Sequence, residues 1–306
     1  MLHDPGAALA RRGPALSAFT LLDSPLPRDR LAERLFAGEL IVVRGLPAMG
    51  RLVELTRARA EAALGSAPDA AHLAFEFEEL RARAGRLRRD FAAAGELRTA
   101  FAEVFSALGF APEETFGDRR ALRIVPPGPR RTEGALRSLP PHRDSWGSNL
   151  AAQINWWAPV YRLEAANTLL LYPDYWSKPI ANSTSRWSLE ELYAARQRGE
   201  AYPRLPVAEE EPAAAALPCT IAPGDLLCFS GAQLHASALG SSGRTRISFE
   251  TRTVSLPDLR AGRGAPNVDG HPGLAAYRWF TRLTDDAGLQ SVIGEGGTDL
   301  PEGGRT

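Results

Sequence analysis

The segment LPPHRDSWGSNLAAQINWW (139–157) sets a histidine and an aspartate two residues apart, His142 and Asp144, in a chain with only five histidines. Side chains of a strand alternate between its faces, so residues i and i+2 point the same way. On a strand, this imidazole and carboxylate are either two legs of a metal site or a surface pair with no chemical role. A second run, PGDLLCFSGAQLHASALGSSGRTRISFE, occupies residues 223–250. Pro223-Gly224 makes a turn, Asp225 opens a strand with an apolar run from Leu226 to Phe229, and a glycine bend leads to His235 among small neighbours. In the next strand, RTRISFETR, alternation puts Arg246 and Ser248 on one face and Ile247 and Phe249 on the other. A buried arginine is costly unless an anion meets it. For Arg246 that anion is either Glu250, on the same strand face, or a bound carboxylate.

Two imidazoles and a carboxylate on one face of a divalent iron leave three positions open, the arrangement suited to non-haem Fe(II) oxygenases. Two oxygens of a 2-oxo acid and one of dioxygen suit those positions. The far carboxylate of 2-oxoglutarate then needs a fixed cation, and the planar fork of arginine grips a carboxylate in two places.

The elements that must position these groups divide by pattern. Up to about residue 110 the chain reads as mainly helical. RLVELTRARAEAALG (51–65) ends on a glycine suited to a helix C-terminus. Phe77, Leu80, Ala84, Leu87 and Phe91 recur at helical spacing, and Phe101, Val104, Phe105 and Leu108 continue it. One β-branched run, ELIVVRGL (39–46), is the early exception. From Arg120 onward strand runs dominate: ALRIVPP, AAQINWW, TLLLYP, LPCTIAPGDLLCFS and RISFETRTV. Without regularly alternating helices they predict an antiparallel sheet. SLEELYAARQRGE (188–200) is a helical insertion with Ser188 and Glu191 spaced as a capping box. The tail after about residue 287 is glycine-rich and expected to fray.

Composition narrows the function classes. A formal net charge of zero offers no electrostatic reason for nucleic acid or an anionic membrane as partner. Basic charge is almost all arginine, with Lys178 the sole lysine, and the arginines are scattered among carboxylates. Cys219 and Cys228 lack both a disulfide framework and metal-site spacing and read as small core residues. With no signal-peptide run and no segment able to span a bilayer, the expected location is the cytoplasm.

The set His142-x-Asp144, the P-G-D…F…H run ending at His235, and Arg246-x-Ser248 eleven and thirteen residues later resembles the Fe(II)/2-oxoglutarate-dependent oxygenases, nearest in layout to the phytanoyl-CoA dioxygenase-like branch. The resemblance covers roughly residues 115–256. It implies one domain, 1–306: mainly helical support over 1–114, a double-stranded β-helix (jelly-roll, cupin-like) core over 115–256 with the insertion near 188–200, and an extension over 257–306. The N-terminal helices would pack on the outer face of the major sheet. It implies Fe(II) on His142, Asp144 and His235, 2-oxoglutarate held by Arg246 and Ser248, and dioxygen as oxidant. The expected reaction is hydroxylation of a C–H bond in a small molecule, an amino acid or secondary metabolite, with succinate and CO2 as co-products. The same centre serves desaturation, epimerisation or cyclisation, and a non-catalytic cupin-like binder is the reading from another class. Retention of Asp144 argues against halogenation, since halogenating relatives have a small residue there. The chain departs from the family where Leu239-Gly240 replace a frequent asparagine and where YPDYW (172–176) replaces a P-G-S-H segment. Arg244 shares a face with Arg246 and competes for its role.

Aromatic and amide residues supply the remaining candidates. Five of the six tryptophans lie between 146 and 187; most are expected in the core, with Trp146 and Trp176 assigned to substrate. Gln153 and Asn155 share a face of an apolar strand and need partners if buried; those partners are either substrate or the 2-oxoglutarate carboxylate, or the protein's own backbone. Trp156 stands where the family has a tryptophan near the co-substrate, leaving the inward face of this strand open. Arg123 either points inward, where it would meet an anion of the substrate, or lies on the surface. His3, His72 and His271 receive no function.

Overall fold

Near the start of the chain, β1 (Thr20–Leu22), α1 (Arg28–Phe36) and β2 (Ile41–Val43) form a strand–helix–strand unit. The sequence indicates only the second of these strands. Because α1 carries the chain back across the sheet edge, β1 and β2 pair in parallel, which a direct hairpin would not allow. This is a correction to a wholly antiparallel expectation. The computed structural model describes residues 18–127, 138–238 and 242–294; His3, Leu239-Gly240 and the tail from residue 295 lie outside these.

Four helices follow: α2 (Pro47–Leu64), α3 (Ala71–Ala74), α4 (Phe77–Ala93) and α5 (Gly95–Ala107). Gly65 ends α2 with φ 85°, a conformation that costs glycine little. The apolar stripe of α4 buries Leu80, Ala84, Leu87 and Phe91, as its spacing predicts.

The rest of the chain is largely strands. In order these are β3 (Thr115–Gly117), β4 (Ala121–Val125), β5 (Ile154–Pro159), β6 (Leu169–Leu171), β7 (Leu217–Cys219), β8 (Leu226–Ser230), β9 (His235–Ser237), β10 (Arg246–Ser255) and β11 (Thr281–Arg282). Between them lie α6 (Asp144–Ser148), α7 (Leu189–Arg198) and α8 (Leu256–Arg260), and α9 (Leu289–Ile293) follows β11. The last of these places a helical turn where the sequence suggests only a frayed tail. Eight strands form one sheet in the order β1-β2-β8-β5-β10-β3-β11, with β4 also on β10, and three form a second, β7-β6-β9. At ten residues, β10 is long enough to take β4 along its first half and β3 along its last residues, Thr253 to Ser255, while β5 runs beside it on the other edge.

The two faces of the large sheet bury different partners. Ile154, Trp156, Ala158, Ile247, Phe249, Leu122 and Ile124 pack under the helices with Phe91, Phe101 and Phe105. From the opposite face, Val42, Trp157, Leu227 and Phe229 meet Leu169, Leu171 and Cys219 of the small sheet. The two sheets thus enclose one core between them, and the helices cover the outside of the larger. Ser188 caps α7 by accepting from the Glu191 N–H at 3.1 Å. The box is only half formed, since Glu191 pairs with Arg198 and the Ser188 N–H donates to Tyr202 Oη. Among the described residues no helix is long and apolar enough to cross a membrane.

Candidate metal centre

His142 and His235 are joined through their own backbones. Each N–H donates to the other's carbonyl, at 2.9 and 3.0 Å, so a narrow antiparallel pair sets the two imidazoles side by side with ring centroids 4.2 Å apart. The expected strand ends there. Arg143 is extended, and Asp144 begins α6, where a carboxylate complements the helix dipole. His142 and Asp144 therefore converge through a strand-to-helix turn rather than by alternation. Arg143, between them, turns away into a buried pocket, pairing with Asp269 at 3.1 Å and donating to the carbonyls of Ala232, Tyr175 and Lys178.

The donor atoms fit a cation. Nδ1 of His142 lies 2.8 Å from the Pro140 carbonyl, and Nδ1 of His235 lies 2.9 Å from the Gln233 carbonyl. A proton on each Nδ1 satisfies those carbonyls and leaves Nε2 as a lone pair. Both Nε2 atoms face the Asp144 carboxylate, at 3.8 and 3.7 Å. Burial, and then the neighbouring His235, push the His142 imidazole down to about 3, so the ring is neutral. Two lone pairs and a carboxylate aimed at one another, with all donor atoms within 4.8 Å, make the set of nitrogen and oxygen ligands that a divalent iron accepts.

Asp144 is held by groups the sequence did not announce in these roles. Asn155 Nδ2 donates to Oδ2 at 2.6 Å, and Arg252 Nη1 donates to Oδ1 at 2.8 Å. Burial raises the carboxyl pKa, but Arg252, the two histidines and the Asn155 bond outweigh it, and the net shift is downward. Arg252 also grips the buried Asp118, whose own carboxyl is raised chiefly by burial. The alternation that marks Arg246 and Ser248 continues through Glu250 to Arg252, and extending it by two steps would have found this residue. Asp269, more than a hundred residues from Trp146, has no such signal.

A cavity of about 100 Å³ is lined by the three candidate ligands together with Asn155, Arg246 and Phe229. Arg246 is buried and donates to Ser237 Oγ at 3.1 Å. Ser248 is wholly buried on the same strand face, and its Oγ has no hydrogen-bond partner among the described residues. Arg244 instead lies half exposed on the surface beside Asp69 and Glu164. Glu250 pairs with Arg123 rather than with Arg246, and Arg123 lines the cavity.

Several assigned residues sit elsewhere. The inward face of β5 carries Asn155 and Trp157, and Gln153 immediately precedes the strand. Gln153 is fully buried and gives its Nε2 to Asn155 Oδ1, so both ends of the Asn155 amide are engaged within the protein. Asn155 lines the ligand cavity and Gln153 does not. The Trp156 indole faces the helices, against Phe105 and Phe110, with its N–H on Thr253, and the residue also lines the ligand cavity. Trp146 is also a core residue: it packs with Tyr172, Ile180 and Leu234 and donates to Asp269 at 2.7 Å. Trp176 lies against Gly38, where a Cβ would come within 2.5 Å of the indole. Neither Trp146 nor Trp176 lines the cavity. His72 meets Thr245, and His271 is exposed.

No family model matches the sequence, and no curated protein matches it. Among solved structures it is similar to EvdO2 from Micromonospora carbonacea var. aurantiaca, at 16% identity over 60% of this chain and 69% of that chain, with a TM-score of 0.39. A non-haem monooxygenase, ThoJ, in its nickel complex is 16% identical over 84% of this chain and 90% of that one, with a TM-score of 0.44. The epimerase SnoN, in complex with Fe3+, alpha-ketoglutarate and nogalamycin RO, is 12% identical over 86% and 96%, with a TM-score of 0.42. On its own residues the chain carries the His142-x-Asp144…His235 set, with both histidines buried and Asp144 partly so, by which its sequence resembles the non-haem Fe(II)/2-oxoglutarate-dependent oxygenases.

Proposed function

We propose that the chain is a non-haem Fe(II)/2-oxoglutarate-dependent oxygenase that hydroxylates a small molecule, built on a double-stranded β-helix over roughly residues 115–256. The observation that carries this is that Arg246 lines the same buried cavity as His142, Asp144 and His235. A metal site alone has no need of a buried arginine facing it. His142, Asp144 and His235 would hold the iron, which with 2-oxoglutarate and dioxygen supplies an oxidant for a C–H bond and leaves succinate and CO2. Arg246 is assigned the far carboxylate of 2-oxoglutarate, with the Ser248 hydroxyl as a further donor. Asn155 and Arg252 fix the Asp144 carboxylate, and Trp157 and Phe229 give the cavity apolar walls that exclude water.

The test is titration of 2-oxoglutarate into the anaerobic Fe(II) protein, followed by the visible charge-transfer band, with succinate release measured in air. Hydrogen bonds to charged groups contribute about 1.5–3 kcal/mol each, so Arg246→Ala should weaken co-substrate binding by about two orders of magnitude. Arg246→Lys should recover only part, keeping the charge without the fork. Arg244→Ala should bind as wild type does. Wild-type binding by Arg246→Ala, or no succinate under any condition, would move a non-catalytic metal-binding protein ahead.

A further inference from the structure

Beside the ligand cavity lies a wider cleft of about 550 Å³, and the two share Arg123, Asp144, Glu250 and Arg252. Small-molecule sites run to about 300–1,000 Å³, so this is room for a substrate. Its lining is unusual for a chain of zero net charge: seven of its sixteen residues are arginine and three are acidic. Arginines that are scattered among carboxylates along the sequence are thus gathered by the fold in this cleft.

The three acids are already engaged. Arg252 spans Asp118 and Asp144, and Arg123 holds Glu250. Elsewhere arginines pair with acids on neighbouring turns, as Arg30 does with Glu33 and Arg83 with Glu79. In the cleft, Arg119, Arg196 and Arg204 form no ion pair with any described residue. They come from separate segments: the turn between β3 and β4, the last turn of α7, and the stretch after it. Arg88 of α4 lines the same cleft. Its guanidinium is pushed down, first by burial and then by the like charges of Arg123, Arg119 and Arg204. Gathering like charges from distant parts of the chain raises the energy of the folded state unless an anion lies among them.

We infer that this cleft binds the anionic part of the substrate, a small molecule bearing a carboxylate, phosphate or sulfate group, through Arg119, Arg196 and Arg204. The anchored molecule would extend toward Asp144, which lines both spaces, and Trp279 offers a flat apolar wall alongside. That the anion belongs to the substrate rests on the oxygenase reading; that the cleft binds it does not.

The experiment is calorimetric titration of phenyl phosphate, phenylacetate and the neutral phenylacetamide into the full chain, kept anaerobic with Fe(II) and saturating 2-oxoglutarate at low salt. Saturation removes the Arg246 cavity as a rival anion site. At least one anion should bind with a dissociation constant below about 10 mM, about tenfold or more tighter than the amide, and should weaken as salt screens the charges. The double variant Arg119→Ala/Arg204→Ala should lose about tenfold or more, Arg196→Gln less, and Arg244→Ala nothing. The arginines tested are exposed, so these variants should keep the wild-type melting temperature. Equal binding by wild type and the double variant, binding of the amide as tight as the acids, or no anion binding would each overturn the inference. Should the anions bind through these arginines while 2-oxoglutarate ignores Arg246, the oxygenase reading falls and the cleft stands.

Discussion

Asn155→Ala removes one hydrogen bond from the carboxylate of Asp144 and one acceptor from Gln153. The first loss is a 2.6 Å donor to an ionised group, a bond contributing about 1.5–3 kcal/mol. Partners that orient a metal ligand typically govern about 10- to 100-fold in metal affinity, and at about 1.4 kcal/mol per decade the two ranges agree. The second loss leaves the Gln153 amide, fully buried, without its acceptor, at about 1–3 kcal/mol of stability. Asn155→Ala should therefore bind Mn(II) or anaerobic Fe(II) about 10- to 100-fold more weakly, and should also melt earlier. Gln153→Ala leaves the bond to Asp144 intact and should affect metal binding far less. The assay is competition with a fluorescent chelator, run beside thermal unfolding of the metal-free proteins. Wild-type metal affinity in Asn155→Ala, with only the melting temperature lowered, would show that the amide pair is a packing device and not a support for the ligand.

Other outcomes are equally specific. His142→Ala, Asp144→Ala and His235→Ala should each lose metal binding while near-UV circular dichroism stays close to wild type; wild-type iron content in any of them removes that residue from the set. Adding Mn(II) at about 100 times its dissociation constant should stabilise the chelator-stripped protein by about 2.7 kcal/mol, an increment that the His235→Ala variant should not show on melting. Trp146→Ala should destabilise by about 3–5 kcal/mol, as large core truncations do, and leave the ratio of substrate to 2-oxoglutarate KM unchanged; a selective rise in substrate KM would return Trp146 to the site. Burial raises both thiols, Cys219 to about 12, so iodoacetamide should modify neither in the native protein and both after unfolding, as mass spectrometry would show.

The parts of this molecule legible in the sequence are those whose cause is local. Apolar and β-branched runs became β4, β5, β8 and β10, and the stripe of α4 faces the core because helical spacing leaves it no choice. The positions of Arg246 and His235 follow from one turn and one strand each. What was not legible depends on distant partners. Trp146 looked available because nothing nearby reveals Asp269, and the bond from Asn155 to Asp144 gives no local sign because it spans a helix. The parity of β5 could not be settled from a run apolar on both faces, since both faces are buried, one by helices and one by the second sheet. The arginine cleft was hidden for the same reason: a sum over the chain is blind to where folding gathers the charges.

The backbone pairing of His142 with His235 bears on which genetic changes the protein tolerates. A strand shifted by one residue keeps most of its hydrogen bonds but sends every side chain to the other face. A single-residue insertion or deletion between Ser138 and His142, or between Gly231 and His235, would thus leave both sheets able to form while turning one imidazole out of the cavity. Substitutions in those stretches that preserve volume leave the register alone. Descendants of this chain should therefore vary in composition on either side of the two histidines far more freely than in length, and lengthening should be confined to connections such as the one carrying α7.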